Sequence, residues 1–404
     1  MRIALYHNAP SGGAKRAIYE WAARLAGKHT LDVYTLSTAN QDYCDIRPLA
    51  HAHHVYPFTP RRLFHRPWGR LNQLQHWRDL ADLDRLSRSI AADLDTGHYD
   101  VLFAHTCLLA VIPGVLQYTQ VPSVYYLHEP IGVGAARYIP RPYTQTSAWR
   151  NALDRMDPFI SGYRRRLATD QERSLRATRL FLANSRFTCE SMPEATQHRT
   201  EFCRLGVNLS QFQPMSGVQQ EHCVVSVGEL SPRKGFDFII ESLGRIPAEV
   251  RPTLKLACNR VEPQERAFIE SLAQRHGVRL QVFTEQSAEA LRRLYNTARM
   301  CVYAPYQEPF GLVPLEAMAC GRPIVGVREG GVAESVVPDV TGLLVDRDAA
   351  QFGQAVGRLL CDEGLAARLG QNGREHVAQH WTWEQSTQTL EGFLQRLAQA
   401  KRHP

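Results

Sequence analysis

Two carboxylates, Glu308 and Glu316, and several glycines and alanines lie in the segment YAPYQEPFGLVPLEAMACGRPIVG, residues 303–326. Glu308 comes just before a predicted helix that begins near Gly311, and Glu316 lies about one and a half turns inside that helix. Because of this spacing, the two carboxylates do not form a paired general acid and base. The residues whose backbone N–H groups are free at the helix start are Phe310, Gly311 and Leu312. A helix N-terminus that carries a glycine favours a phosphate or a sugar hydroxyl as its ligand.

A second segment, VVSVGELSPRKGFDFIIESL at residues 224–243, has the order strand, glycine turn, helix. Arg233 and Lys234 lie in its turn, where a basic pair can neutralise a diphosphate. Each segment taken alone also has an ordinary interpretation, with Lys234 as a solvated turn residue, Glu308 as a helix-start carboxylate and Glu316 as a surface residue. Together the segments favour an anion site, because both place suitable groups at the carboxyl ends of strands in one sheet.

The N-terminal part of the chain offers fewer candidates. The turn Ser11-Gly12-Gly13 has two successive residues without Cβ, and His128 follows a predicted strand where its ring could donate a hydrogen bond to a sugar oxygen. His105 ends another predicted strand and is the weaker candidate of the two histidines. A structural role is the alternative for both. The dinucleotide fingerprint G-x-G-x-x-G is absent from the glycine turn, which argues against NAD-dependent oxidoreduction.

Strands and helices alternate along both halves of the chain, which predicts an α/β fold with two doubly wound, Rossmann-like parallel sheets. The predicted strands are residues 2–7, 31–36, 101–104, 123–127 and 180–183, then 223–227, 254–257, 280–283, 300–303, 323–327 and 342–345. The pattern lapses into polar residues between 205 and 221, and the amphipathic segment 381–398 ends the chain. We predict domains at 1–212 and 213–380, and a helix within 381–404 that packs back on the first domain.

Length and amino-acid composition limit the classes of protein to which this chain can belong. The 404 residues are 44% hydrophobic and 22% charged, which fits a globular chain of two domains and excludes the disordered and fibrous classes. The nine cysteines are odd in number and scattered, and neither an export signal nor an apolar run of membrane-spanning length is evident. We therefore expect a reduced, cytoplasmic setting.

Positive charge is concentrated in the N-terminal half. Residues 1–216 hold 26 Lys and Arg against 18 Asp and Glu, and the segment RRLFHRPWGR at 61–70 mixes arginines with aromatic residues. This excess suits an anionic partner, such as a phosphorylated acceptor or the inner face of a membrane that the protein contacts peripherally. An ordinary solvated surface is the alternative, and we expect no nucleic acid partner.

The combined motifs resemble those of the family 4 retaining glycosyltransferases, which have the GT-B architecture. The resemblance rests on Gly12-Gly13, VGELSPRKG, EPFGLVPLEAMACGRPIVG, GGVAESV, TGLLV and FLANSRF, and it is dense between residues 223 and 346. It implies two domains that face each other across a cleft and a hexosyltransferase of carbohydrate biosynthesis that uses a nucleotide-sugar donor, such as a UDP or GDP sugar. The acceptor stays open between a saccharide, a lipid-linked molecule and a small molecule.

The same resemblance implies roles for individual residues. Lys234, helped by Arg233, would neutralise the donor diphosphate, and Glu316 would bind the ribose hydroxyls of the nucleotide. Glu308 would hold the transferred sugar, and His128 would contact that sugar from the opposite domain. The backbone groups that would complete the donor site are those of Gly12, Gly13, Pro309, Phe310, Gly311 and Leu312. No metal or other cofactor is expected, because basic side chains and the helix N-terminus stabilise the leaving diphosphate.

The resemblance also implies a mechanism that retains the anomeric configuration. In this front-face, oxocarbenium-like step an oxygen of the leaving diphosphate takes the acceptor proton, and an α-linked donor gives an α-linked product. One residue departs from the family pattern, because Glu229 follows the strand-ending Gly228 where arginine is common. Arg233 could supply the missing guanidinium, the donor pocket could be altered, or Glu229 could point away. Two other functions stay open: a catalytically silent module that binds a nucleotide or a partner, and a GT-B sugar-nucleotide epimerase.

Overall fold

The computed structural model describes residues 1–61, 73–131, 139–144 and 157–402. Its first half forms a seven-stranded parallel sheet in the order β3-β2-β1-β4-β5-β6-β7. These strands are β1 Arg2–Asn8, β2 Thr30–Leu36, β3 Ala52–Tyr56, β4 Val101–Cys107, β5 Ser123–Leu127, β6 Leu180–Ala183 and β7 Thr200–Phe202. The strand order reverses between β1 and β4, which is where an open α/β sheet forms its ligand crevice.

The second half forms a six-stranded parallel sheet in the order β10-β9-β8-β11-β12-β13. Its strands are β8 Cys223–Val227, β9 Thr253–Cys258, β10 Leu280–Thr284, β11 Met300–Tyr303, β12 Ile324–Val327 and β13 Gly342–Val345. The strand order here reverses between β8 and β11, and the two segments richest in candidate residues follow these two strands. The predicted fold class, two doubly wound α/β sheets, is confirmed.

Two strands are missing from the sequence prediction, and both have physical reasons to be hard to see. The outer strand β3 has the sequence AHHVY, and its residues are half-buried or exposed, so it shows no apolar run. The outer strand β7 has three residues, of which Glu201 is exposed. A strand at the edge of a sheet is stabilised by pairing on one side only and needs less burial than a central strand.

Helices cover both sheets. The helices of the first half are α1 Gly13–Leu25, α2 Gln73–Thr96, α3 Pro158–Ala177, α4 Arg186–Glu190 and α5 Glu194–Gln197. Those of the second half are α6 Phe236–Gly244, α7 Pro263–Arg275, α8 Ala288–Thr297, α9 Leu312–Ala319, α10 Val332–Ser335, α11 Ala349–Cys361, α12 Glu363–His380 and α13 Trp383–Arg402. None of the helices in the described part of the chain is long and apolar enough to cross a membrane. Of the basic segment 61–70, only Arg61 lies within the described residues.

The last helix returns to the first half of the molecule, as the fold prediction states. In α13, Trp383 packs edge-on against Trp21 of α1 with 5.7 Å between ring centroids, and Ser386 accepts a 2.9 Å hydrogen bond from the Trp21 indole. Lys28 and Glu391 add a 3.0 Å ion pair near the end of α1. The buried core runs without interruption from β1 through Trp383 to α9 of the second half. The predicted domain limit at 212 falls in the segment between β7 and β8, and the limits themselves stay predictions.

A buried ion cluster also joins the two halves. Arg141, which is 5% exposed, donates to both carboxylate oxygens of Glu265 in α7 at 2.9 and 3.0 Å and to Asp237 in α6 at 2.7 Å. Tyr143 also donates to Glu265, and the Arg141 guanidinium lies 5.0 Å from the ring centroid of Phe268. Residues 139–144, which follow β5, are therefore fixed to the helices of the second half.

We expect Arg141→Ala to lower the free energy of unfolding by about 3–5 kcal/mol, because it leaves the fully buried Glu265 without its positive partner. Chemical denaturation followed by circular dichroism measures this change. The matched control is Arg266→Ala, which removes a half-exposed i,i+4 pair with Glu270 on the same helix and should cost less than about 1 kcal/mol. Equal effects of the two variants would contradict the argument.

Candidate functional site

Side chains join the carboxyl ends of the two sheets across a cleft. Arg16 of α1 donates to Glu316 of α9, and Glu129, which follows β5, lies 3.8 Å from Arg233 in the turn after β8. Glu316 and Arg233 of the second half therefore face the first half across this cleft.

A further contact between the halves uses a helix N-terminus. Glu334 of α10 accepts hydrogen bonds from the backbone N–H groups of Arg186 and Phe187, both at 2.9 Å. These two residues begin α4, so a carboxylate of the second half complements the positive end of a helix in the first half. The contact links the motifs FLANSRF and GGVAESV, which lie far apart in the sequence.

The glycine turn of the first half leaves open space beside the backbone. Gly12 has φ +145°, a conformation that other residues rarely adopt, and a Cβ added there would meet no heavy atom of the described residues within 4 Å. A Cβ added at Gly13 would lie 3.7 Å from the side chain of Leu312 at the start of α9. The first turn of α1 thus comes close to the first turn of α9, and a ligand can approach the Gly12 backbone.

The start of α9 requires the glycine that the sequence places there. The helix begins at Leu312, one residue after the predicted start, and Gly311 precedes it with φ +89° and no side-chain cap. A Cβ at Gly311 would lie 2.9 Å from the hydroxyl oxygen of Tyr303, which is closer than real Cβ atoms come. The backbone is therefore held against β11 with its terminal N–H groups uncapped, as anion binding requires.

Lys234 and Glu308 are bound to each other. The Lys234 ammonium donates to both carboxylate oxygens of Glu308, at 2.9 and 2.8 Å. Gly235 fixes the turn, because its φ is +65° and an added Cβ would lie 2.0 Å from the carbonyl oxygen of Ala304. Gly331 donates its N–H to the Glu308 carbonyl at 2.9 Å and holds that backbone from the other side. The two side chains are partly exposed, at 22% and 16%, so a ligand can reach them.

Glu316 is buried and fully partnered, which excludes its interpretation as a surface residue. One carboxylate oxygen accepts from Arg16 and the other accepts from the Tyr295 hydroxyl at 2.8 Å. The residue is 3% exposed. Burial first, and then the charge of Glu316, raise the pKa of Tyr295 well above its usual range, so Tyr295 stays a donor. Arg16 and Tyr295 are not among the residues predicted from the sequence, although the position of Arg16 just after the glycine turn is a signal for it.

Glu229, which departs from the family pattern, is paired within its own half. Its carboxylate lies 3.4 Å from the guanidinium of Arg260, in the loop after β9. Its negative charge is therefore offset by Arg260, whereas Lys234 is bound to Glu308. Arg233 is 37% exposed, and its weak contact with Glu129 leaves its guanidinium accessible at the cleft.

Two pairs of basic side chains, all buried except the partly exposed His128, lie near the carboxyl ends of β1, β4 and β5. His105 Nδ1 is 3.1 Å from His128 Nε2, and burial lowers the pKa of His128 to about 3. Lys15 Nζ is 3.2 Å from His7 Nε2, both residues are fully buried, and burial lowers the pKa of Lys15 to about 8. His7 and Lys15 are not among the residues predicted from the sequence, because His7 lies near the end of an apolar strand and Lys15 lies in the first turn of an amphipathic helix. The described residues contain no group of three or more His, Cys, Asp and Glu side chains suited to hold a metal ion.

Comparisons with known proteins agree on one family. The model described as Glycosyltransferase Family 4 matches residues 11–211, and the model described as Glycosyl transferases group 1 matches residues 211–376. A D-inositol 3-phosphate glycosyltransferase of Salinispora tropica is 26% identical over 94% of this chain and 80% of its own length. One from Xylanimonas cellulosilytica is 34% identical over 45% of this chain and 43% of its own length.

Solved structures share the fold. Sucrose-phosphate synthase from Thermosynechococcus elongatus superposes with a TM-score of 0.73 and 23% identity, and the match covers 99% of each chain. HepE of Anabaena in complex with UDP and glucose gives a TM-score of 0.69 and 19% identity over 97% of this chain and 99% of HepE. With sequence identities this low, the structural similarity establishes the fold alone, which is the GT-B arrangement of two facing Rossmann-like domains.

The depressed pKa of His128 predicts a specific loss of stability in acid. The unfolded chain protonates this histidine below about pH 6.5, whereas the folded protein resists protonation down to about pH 3, so stability falls as the pH falls through this range. Between pH 7 and pH 5 we expect His128→Gln to lose less stability than the wild type, by about 2 kcal/mol. Denaturation at both pH values measures the difference. His198→Gln, at an exposed histidine, is the control, and identical pH profiles for all three proteins would refute the prediction.

Proposed function

This chain belongs to the family 4 glycosyltransferases, and we propose that it transfers a sugar from a nucleotide-diphosphate donor to an acceptor with retention of configuration and without a metal ion. The observation that carries the proposal is the pairing of Lys234 with Glu308 beside the uncapped start of α9. A cation for the diphosphate, a carboxylate for the sugar and a positive helix end lie together at the carboxyl edge of one sheet.

In the proposed donor complex, the diphosphate binds where positive charge converges. Lys234 exchanges its carboxylate partner for a phosphate oxygen, and the accessible guanidinium of Arg233 adds a second charge-assisted contact. The N–H groups at the start of α9 and the open backbone at Gly12 supply further donors. These groups meet the charge that develops on the leaving diphosphate, which is the task that a metal ion performs in other enzymes.

The nucleotide and the sugar occupy the two sides of the diphosphate. Glu316 accepts hydrogen bonds from the ribose hydroxyls, and its fixed partners Tyr295 and Arg16 hold its carboxylate in place for that contact. Glu308, together with the backbone from Pro309 to Leu312, binds the hydroxyls of the transferred sugar. His128 donates to the sugar from the opposite half.

The proposed reaction breaks the bond between the anomeric carbon and the diphosphate oxygen and forms a bond to the acceptor oxygen on the same face. The acceptor proton passes to the departing phosphate oxygen, so no protein nucleophile or general base is required. An α-linked donor then gives an α-linked product. Lys234 acts in this step by stabilising the negative charge that grows on the diphosphate.

Relatives narrow the first donor to test. HepE of Anabaena has been solved in complex with UDP-glucose, at a TM-score of 0.71 and 18% identity to this chain, so a UDP sugar is our first candidate and a GDP sugar the second. The acceptor stays open between a saccharide, a lipid-linked molecule and a small molecule. We propose that it meets the basic N-terminal half, whose charge favours a phosphorylated acceptor and allows peripheral contact with the inner face of a membrane. We also propose a cytoplasmic location.

Nucleotide binding is the first test of this proposal. We expect one of UDP, GDP, ADP and TDP to raise the melting temperature, because a ligand at 100 times its dissociation constant stabilises the folded state by about 2.7 kcal/mol. A differential scanning fluorimetry panel measures the shift. No shift with any of the four would rule out the donor site. A shift without hydrolysis or transfer of any donor sugar would instead indicate a catalytically silent nucleotide-binding module.

Lys234 and Glu316, two charged residues of the proposed donor site, give a second test. We expect Lys234→Ala and Glu316→Gln each to lower the rate of transfer at least about 100-fold, because each removes a contact that the donor makes in the transition state. Lys28→Ala is the matched control, since it breaks an exposed Lys–Glu pair outside the cleft and should leave transfer unchanged. Wild-type rates in both cleft variants, with unchanged circular dichroism, would refute the assigned site.

A further inference from the structure

Two histidines meet at the end of the central strands of the first sheet. His105 in β4 and His128 after β5 bring their rings together, with 3.1 Å between His105 Nδ1 and His128 Nε2. Asn184, which follows β6, donates to the backbone carbonyl of His128 at 2.9 Å. His105 is fully buried, whereas His128 is partly exposed. The pair therefore connects the core of the first half to the surface beside Glu129, which lies 3.8 Å from Arg233 of the second half.

The surroundings of His105 are aromatic. The Trp21 ring stacks on it with 6.0 Å between centroids and 23° between planes, and Phe103 packs against it at 4.2 Å and 65°. Its second nitrogen, Nε2, is buried and has no hydrogen-bond partner within the part of the chain that the structure describes. Burial lowers the pKa of both histidines far below neutral, so both rings are uncharged near pH 7.

The position of each ring hydrogen follows from this geometry. A neutral imidazole carries one N–H, so the contact between the rings has one donor and one acceptor. A hydrogen on Nε2 of His105 would be orphaned in the core, and buried N–H groups without a partner are rarer than unpaired acceptors. The hydrogen of His105 therefore belongs on Nδ1, which donates to Nε2 of His128. His128 must then carry its own hydrogen on Nδ1.

We propose that His105 is a positioning residue that holds His128 in the Nδ1–H tautomer, and that this N–H is the donor which His128 offers to a hydroxyl of the transferred sugar. The hydrogen bond at one nitrogen of an imidazole decides which nitrogen is protonated, so His105 acts through His128 without touching the substrate. The sugar contact rests on the proposed function, whereas the tautomer is a property of the protein without ligand.

The tautomer is measured on the free protein by two-bond ¹H–¹⁵N correlation of ¹⁵N-labelled histidine side chains. His128→Gln identifies the signals of residue 128. We expect a protonated Nδ1 and a bare Nε2 for His128 in the wild type, and loss of this preference in His105→Phe. A protonated Nε2 in the wild type, or an unchanged tautomer in His105→Phe, would overturn the proposal. This result does not depend on whether any donor is turned over.

Kinetics then distinguish positioning from mere support of the fold. We expect His105→Phe to lower kcat for sugar transfer about ten-fold with little change in the donor KM, because the sugar contact loses its oriented donor. His105→Asn should retain most of kcat, since its amide nitrogen can donate from the place of Nδ1. Phe103→Leu alters the packing around His105 but keeps both rings, and it should behave like the wild type.

The outcomes separate the two proposals. Equal losses of kcat in His105→Phe, His105→Asn and Phe103→Leu would assign a purely structural role and overturn the inference. If His105→Phe does not fold, two other measurements test the proposal: the tautomer of His128 in the wild type, and whether His105→Asn retains most of kcat. Failure of the wild type to use any donor would contradict the proposed function, while the spectra still decide the tautomer.

Discussion

Buried charge that is shared between the two halves is the constraint on which the cleft depends. Glu316 is 3% exposed and takes its positive partner, Arg16, from the other half, and the fully buried Glu265 takes Arg141 in the same way. An unpaired ion in the protein interior costs several kcal/mol, so either half without the other would leave charges that it cannot satisfy. The ion pairs therefore fix how the two sheets face each other. The Arg16–Glu316 pair also accompanies the approach of the glycine turn after β1 to the start of α9, where we propose that the donor binds.

Within the second half, the turns of the proposed donor site are fixed mainly by close contact of their backbone with β11 and the loop that follows it. At Gly235 and Gly311 the chain has positive φ, and a side chain at either position would collide with β11 or the loop that follows it. These collisions explain why both turns require glycine, and why the helix behind Gly311 begins with uncapped N–H groups. Each of these turns belongs to a short stretch of sequence, because strand, turn and helix follow each other within about 20 residues. That is the reason the sequence alone could predict these turns.

The sequence could not identify contacts that depend on how distant segments meet. Local patterns predict both sheets, the C-terminal helix and Lys234, Glu308 and the α9 turn. They miss β3, because a strand at the edge of a sheet needs fewer apolar residues. They also miss Arg16, because its partner lies 300 residues away in the sequence. Pattern alone also allowed Glu316 to be a surface residue, and the structure overturns this because burial is a property of the packed molecule. From the sequence alone, His105 is a weaker candidate than His128, because the contact between the two rings follows only from the pairing of β4 with β5.

Glu308 and Glu316, the two carboxylates of the proposed donor site, differ in whether a ligand can replace their basic partner. Lys234 and Glu308 are 22% and 16% exposed, so water and salt already weaken their attraction, and exchanging it for a phosphate and a sugar hydroxyl costs little. Glu316 is 4% exposed in its side chain, and removing Arg16 from it would leave a buried carboxylate with only the Tyr295 hydroxyl. In the proposed donor complex, a ribose would therefore share Glu316 with Arg16 instead of displacing it. Because Arg16 belongs to the other half, a nucleotide bound to Glu316 as we propose would contact both halves of the molecule.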